Sequence, residues 1–348
     1  MSVIGSAARK ASMTPLAALL LAGLAHGAPS LALPIDCEIG RSCIVQNYVD
    51  RDPGPEARDY RCGFLTYDGH KGTDIRVIDA EALRKGVAVL AAAPGRVRAV
   101  RDGMQDVSVR TIGKAAIAGR EAGNSVVIEH GDGWETQYGH MRKGSVAVRA
   151  GEIVTAGQKL GLVGLSGNTE FPHVHFEIRR DRNAVDPFTG AGAAEACGVG
   201  GRALWKSDAL EALAYVATGA LDAGIAGAAP VVGDGNVDRG RTERFSSASA
   251  AAVFWVQIYG ARADDVEEFR LVAPDGRVLS EHRDRIARNQ AQWLAYAGSR
   301  RRETGWPAGA YRGEYSLYRG REKLLSLTRE TRLAPQAVSR RDPGQGVP

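Results

Sequence analysis

The sequence predicts an all-β protein made of two successive sheet-building units, and two observations carry that expectation. Glycine is abundant, at 43 of 348 residues against 14 prolines, which supplies many turns without a collagen-like period. Short apolar runs recur between Gly, Pro and Asp turn signals along most of the chain, the pattern of short strands. One stretch, Trp205 to about Ala223, instead spaces Leu210, Leu213, Ala214, Val216 and Ala217 near the helical period. At about 150 residues per domain the length also suits two units. With 44% hydrophobic and 24% charged residues, the composition is that of a globular protein rather than a disordered or membrane-embedded one.

The N-terminus reads as a secretory signal peptide over residues 1–27. Arg9 and Lys10 precede an apolar run from Met13 to Ala25, and small residues follow, so that cleavage after Gly27 or after Ala32 fits equally. The run is short for a transmembrane helix, and no stable membrane anchor is expected after cleavage. The expected location is therefore exported, periplasmic first, with a secreted or wall-associated protein as the alternative. Loss of Arg9 and Lys10 lowers the net charge from +5 to +3, too balanced for a nucleic-acid partner. Export also changes how the four cysteines are read, because disulfides persist outside the cytoplasm. Three pairings are possible. The favoured one joins Cys37 to Cys43 in a local loop and Cys62 to Cys197 across a long one. Without a C-x-x-C spacing, a structural zinc site is the poorer reading.

Residues 33–62 look irregular, with a strong turn at Asp52-Pro53-Gly54-Pro55. Strands are expected at 87–92, 97–100, 125–130, 134–138, 146–149, 158–163 and 173–179, with 101–123 as a loop insertion. Gly131-Asp132-Gly133 marks a hairpin. The first unit spans 33–200. A helix and linker are expected over 201–244, then a small β-sandwich of immunoglobulin-like type over 245–334, from strands near 252–259, 269–272, 293–296, 311–318 and 324–328. A disordered tail is expected at 335–348.

The seven histidines are distributed unevenly. His26 belongs to the signal peptide, and His282 sits in the charged run Glu281-His282-Arg283-Asp284, where a solvated role suffices; the other five lie between residues 70 and 175. Gly69-His70-Lys71-Gly72-Thr73-Asp74 offers an imidazole and a carboxylate, both zinc ligands. In His173-Val174-His175-Phe176-Glu177-Ile178 the strand alternation puts His173, His175 and Glu177 on one face and the apolar residues on the other. Tyr138-Gly139-His140 ends a hairpin strand. His130, beside the turn, reads as structural.

Together these elements resemble the lysostaphin/LytM-type zinc peptidases of peptidoglycan, over about residues 62–188. The family's H-x-x-x-D, Tyr-x-His and His-x-His-Phe-Glu motifs stand in order here, with glycine-rich strands at Gly123–His130 and Val148–Val163 between them. The resemblance implies an antiparallel β-sheet peptidase domain with an open groove. It implies one Zn²⁺ per chain held by His70, Asp74 and His175, three ligands leaving an open position as in a catalytic site. It also implies His140 and His173 as the catalytic pair off the metal. Glu177 is a candidate to orient an imidazole from behind. The family often has Ser-Thr-Gly-Pro before the His-x-His strand; this chain has Ser166-Gly167-Asn168-Thr169-Glu170-Phe171-Pro172. Asn168 and Thr169 are thus groove candidates, and the substitution bears on substrate preference.

The activity so implied is hydrolysis of peptide amides in peptidoglycan, with a D-alanyl–diaminopimelate cross-link or a Gly–Gly bridge as the bond. The alternative is a catalytically silent family member that activates another cell-wall hydrolase. Other cell-wall proteins are candidate partners of the C-terminal unit. There Trp255, Trp293, Tyr311, Tyr315 and Tyr318 read first as core and second as a sugar-stacking surface.

Overall fold

The computed structural model describes residues 27–193, 195–303 and 305–335. The expected signal peptide and tail therefore lie almost wholly outside the described residues. Strand pairing starts within the stretch read as irregular. Cys43–Asn47 (β1) is buried along its whole length and pairs antiparallel with Thr73–Val77 (β2). The strands that follow are Ala88–Leu90 (β3), Gly95–Arg101 (β4), Asn124–Gly131 (β5), Trp134–Met141 (β6), Ile153–Val154 (β7), Lys159–Leu162 (β8), His173–Arg180 (β9) and Asn183–Val185 (β10). The main sheet runs β1-β2-β9-β6-β5-β4-β7, with β10 added to β9, while β3 and β8 form a separate pair. Every pairing in this main sheet is antiparallel. Val174, Phe176 and Ile178 of β9 are buried with Val126, Ile128 and Tyr138, so the alternation read from the sequence does send one face of β9 into the core.

Two expected elements differ in the structure. Residues 146–149 form no strand. Their amides are taken by side chains, Val146 N–H by Asp102 Oδ2 at 3.2 Å and Arg149 N–H by Glu152 Oε2 at 3.1 Å. Only Ala147 N–H reaches a neighbouring strand carbonyl, Leu160 O at 2.8 Å. The expected helix shrinks to Ser207–Ala212, with Trp205, Ala209 and Leu213 buried at four-residue spacing. Beyond it, Gly219–Ala226 is a strand (β11) paired with a distant segment, a partner that local periodicity cannot reveal. Short strands at Val232–Gly233 (β12) and Asn236–Val237 (β13) pair as a hairpin in what read as linker.

The remaining strands are Ala251–Ala261 (β14), Val266–Val272 (β15), Val278–Arg285 (β16), Gln290–Arg300 (β17), Gly309–Arg319 (β18) and Glu322–Leu333 (β19). They form sheets β11-β14-β17 and β16-β15-β18-β19 around a shared core that includes Phe254, Ile258, Phe269, Leu271, Tyr315 and Leu317. The second unit is thus two packed antiparallel sheets, beginning at Gly219 rather than 245. Strand β16 went unread because it is charged and exposed, as suits an edge strand. Trp255, Tyr311 and Tyr315 are buried, so these aromatics serve packing. Among the described residues no helix is long and apolar enough to cross a membrane.

Disulfides join Cys37 to Cys43 and Cys62 to Cys197. The second spans 135 residues and ties the approach to His70 to the segment after β10. Closing a loop that long restricts the unfolded chain strongly. Replacing both Cys62 and Cys197 by Ser is expected to lower the unfolding free energy by about 4–5 kcal/mol, measured by denaturant titration; an unchanged midpoint would show that the bond adds nothing.

Candidate metal centre

Three adjacent strands assemble the site. In the β2–β9 register Asp74 lies opposite His175, and in the β6–β9 register Gly139 lies opposite His175 from the other side. His70 arrives from the loop before β2 and His140 follows Gly139. The β1 register adds Asn47 opposite Asp74. The side chains converge accordingly. His70 Nε2 lies 3.2 Å from Asp74 Oδ2 and 3.3 Å from His175 Nδ1, and His175 Nδ1 lies 2.8 Å from Asp74 Oδ1. His173 Nε2 is 3.3 Å from Asp74 Oδ1. The His140 and His173 ring centres are 4.6 Å apart. Two trios of donor atoms are close enough to share an ion, His70–Asp74–His175 and His140–His173–His175, with His175 common to both.

The hydrogen bonds behind the rings fix which nitrogens are bare. His70 Nδ1 meets the Tyr48 carbonyl at 2.6 Å, His140 Nδ1 the Ser166 carbonyl at 2.7 Å, and His173 Nδ1 the Phe171 carbonyl at 2.9 Å. A carbonyl can only accept, so each Nδ1 carries the proton and each Nε2 presents a lone pair when the ring is neutral. His175 is turned the other way, with Nδ1 on Asp74 and Nε2 facing Glu177 Oε2 at 3.9 Å. In the His70–Asp74 contact, a bare nitrogen therefore faces a carboxylate oxygen, two acceptors that call for a cation between them. Ligand atoms around a tetrahedral zinc at about 2.0–2.1 Å stand roughly 3.3 Å apart. The first trio has nearly that spacing, and its chemistry of two imidazoles and one carboxylate fits zinc.

The electrostatics are those of a buried cluster. Burial alone would raise the Asp74 carboxyl, but the facing His70, His173 and His175 outweigh it and hold the group well below the usual carboxylate range. Burial, helped by neighbouring His173 and His175, pushes the His140 imidazole well down. For His175 burial acts downward, and the hydrogen bond to Asp74 and the proximity of Glu177 reverse it, raising the ring to about 9. His140 also sits at φ 57°, a left-handed conformation of the kind that costs about 1–3 kcal/mol and gathers at functional sites.

Gly72 shows how tight the loop is. A Cβ there would meet His175 Cε1 and Nε2 and the Phe176 carbonyl, all at 2.7 Å. Gly72→Ala is therefore expected to displace the His175 ring and weaken metal affinity by about 10–100-fold, the scale seen when a ligand's support is disturbed. Competition with a chromophoric chelator measures this; wild-type affinity would refute the packing argument.

The other residues singled out in the sequence fall as follows. Glu177 lies behind His175 and 3.8 Å from Arg179 Nε. Thr169 is buried, with its hydroxyl 3.1 Å from His173 Nδ1, so it steadies that ring as well as lining the groove. Asn168 is exposed on the groove wall. His130 stands apart, its Nδ1 on the Pro94 carbonyl and its Nε2 on Thr136 Oγ1, both at 2.8 Å. His282 is exposed and lies 2.7 Å from Asp284 Oδ2. The sequence reading missed Asn47, whose amide donates to Asp74 Oδ2 at 2.9 Å, and Tyr67, whose tilted ring is centred 4.5 Å from that of His70. No local motif marks Asn47; only the β1–β2 register could have found it. Tyr67 stands three residues before His70, within reach of the motif.

The site is thus a donor set able to hold one metal ion in a β-sheet groove, with two further imidazoles beside it. Residues 68–187 match the model of peptidase family M23, and this segment belongs to that family of LytM/lysostaphin-type peptidases. Among curated relatives, the peptidoglycan DD-endopeptidase ShyB of Vibrio cholerae is 42% identical over 65 residues, 19% of this chain and 15% of ShyB. The murein hydrolase activator EnvC of Escherichia coli is 37% identical over 110 residues, 32% of this chain and 24% of EnvC. The chain thus spans less than a quarter of the length of either. Among solved structures, a mutant catalytic domain of the prophage-encoded M23 protein EnpA from Enterococcus faecalis is 26% identical, covering 47% of this chain and 95% of that one, at a TM-score of 0.30.

Proposed function

We propose that the chain is an exported, zinc-dependent endopeptidase that hydrolyses amide bonds in peptidoglycan stem peptides or cross-links, the D-alanyl–diaminopimelate link first among them. One observation carries the reading: two imidazoles with bare Nε2 atoms, His140 and His173, stand beside the donor trio His70–Asp74–His175. When bound, zinc would polarise the scissile carbonyl and acidify water. The trio His70–Asp74–His175 would hold the ion beside the groove. His140 and His173, each anchored through Nδ1 to a carbonyl, can take a proton at Nε2 and return it to the leaving nitrogen, or donate a hydrogen bond to developing negative charge. Asn47 fixes the Asp74 carboxylate from behind and Thr169 fixes His173. The match to ShyB supports peptidoglycan as the substrate, and the two disulfides support export.

A second reading has one observation in its favour, the similarity to EnvC, whose name records activation of a murein hydrolase. Here the segment would dock on another hydrolase without cutting anything. Retention of all five metal and catalytic positions favours the enzyme. The test is digestion of purified peptidoglycan by the mature protein, by its chelated form and after zinc is restored, with released muropeptides identified by mass spectrometry. Zinc-dependent release of a defined fragment is expected. No cleavage by zinc-replete protein would refute the endopeptidase, and stimulation of a second hydrolase by that inactive protein would establish the activator.

A further inference from the structure

The groove beside the metal centre has a wall from the second unit. A cavity of about 310 Å³ is lined by Asp74, Tyr67 and His173 on one side and by Ala291 and Gln292 of β17 on another. That wall is held firmly. Gln46 Nε2 donates to the Ala291 carbonyl at 3.2 Å. Fully buried Arg76, two residues beyond Asp74, donates to Gln46 Oε1 at 2.8 Å and reaches the β12–β13 hairpin through the Gly235 carbonyl at 2.8 Å and Asn236 Oδ1 at 2.6 Å. Gln257 of β14 donates to the same Gly235 carbonyl at 2.7 Å. The first unit is thus tied to both the hairpin and the three-stranded sheet.

A second cavity, of about 470 Å³, adjoins the first, with Thr66 and Ala291 in the walls of both. Phe64, 39% exposed, lies in it between two guanidinium groups, Arg58 at 4.3 Å and Arg262 at 5.1 Å from the ring centre. Arg58 is paired with Glu56 at 2.9 Å. The Arg262 side chain, half-buried, has no hydrogen-bond or ion-pair partner among the described residues beyond its contact with the ring. An aromatic platform beside an unpaired guanidinium suits a group with an apolar body and a carboxylate end.

We propose that this cavity is a substrate subsite spanning the two units, which takes a carboxylate-bearing segment of the peptide whose amide lies at the metal centre. The proposal rests on the peptide-hydrolase reading of that centre and adds to it a role for the second unit: β17 and the loop carrying Arg262 complete the groove. The anion pairs with Arg262 while its side chain packs on Phe64.

The test compares affinities of the full mature protein, chelated so that nothing is cut, for cross-linked muropeptides with free carboxylates and for the same muropeptides after carbodiimide amidation. Wild type is expected to prefer the carboxylate form by about tenfold, the scale of one charge-assisted hydrogen bond. Arg262→Ala is expected to abolish that preference and Arg262→Lys to keep part of it. Ala291→Tyr, which places a large side chain in the wall common to both cavities, is expected to weaken binding of the carboxylate form. With zinc restored, Arg262→Ala raises KM for the carboxylate form and leaves its kcat in place. A wild type that shows no preference, or binds neither form, overturns the subsite, as does an Arg262→Ala protein that keeps the full preference. Cleavage by wild type with no Arg262-dependent preference would overturn the subsite alone. Arg262-dependent preference without any cleavage by zinc-loaded protein would overturn the endopeptidase reading alone.

Discussion

Asp74→Ala is expected to give a folded protein that no longer retains stoichiometric zinc and releases muropeptides at least about 10³-fold more slowly, beyond the loss expected from one missing oxyanion donor. The size follows from where Asp74 sits. Its carboxylate contacts His70, His173 and His175, each within 3.3 Å. Without it the trio loses a ligand, and the remaining imidazoles lose the charge that holds them together. Asn47 Nδ2 also loses its acceptor, a buried unmet donor that costs about 1–3 kcal/mol. Thermal unfolding with and without zinc, elemental analysis and muropeptide release together check the expectation. Normal zinc content in the variant would shift the metal to the alternative trio His140–His173–His175.

The second large effect concerns His140 and His173, which the proposed mechanism keeps off the metal. His140→Ala and His173→Ala are each expected to lower kcat by about 10²–10⁴-fold, the range for losing a positioned acid or base, while zinc content stays at one per chain. That contrast separates proton transfer from metal binding. The two variants should differ in stability. His140 occupies a left-handed backbone position, so its replacement removes a side chain while the strain stays. His173 contacts Asp74 as well as Thr169, so its loss also loosens the carboxylate. Loss of zinc from His140→Ala would reassign that residue to the metal.

Much of this site was legible in advance because strand geometry is local. His173, His175 and Glu177 alternate with Val174, Phe176 and Ile178 in the sequence, and a period of two leaves no other arrangement once the apolar set is buried. His70 and Asp74 are close in the chain, so the loop between them is short enough to bring both to one point. The second unit was legible only as strands. Strand β11 read as the end of a helix because its alanines and Leu221 suit either period, and its partner β14 lies some thirty residues away; β16 was invisible because its residues are charged.

Motif spacing and strand alternation thus supply the inventory of the centre: which imidazoles and which carboxylate, on which faces. What tertiary structure alone decided is the company they keep. Asn47 reaches Asp74 through a strand register, the tautomers of His70, His140 and His173 follow from the carbonyls of Tyr48, Ser166 and Phe171, and Ala291 comes to the groove from across the seam. The physical reason is one of range. Alternation and short-loop closure act between near neighbours, whereas hydrogen-bond partners and groove walls come from segments that only the folded sheets bring together.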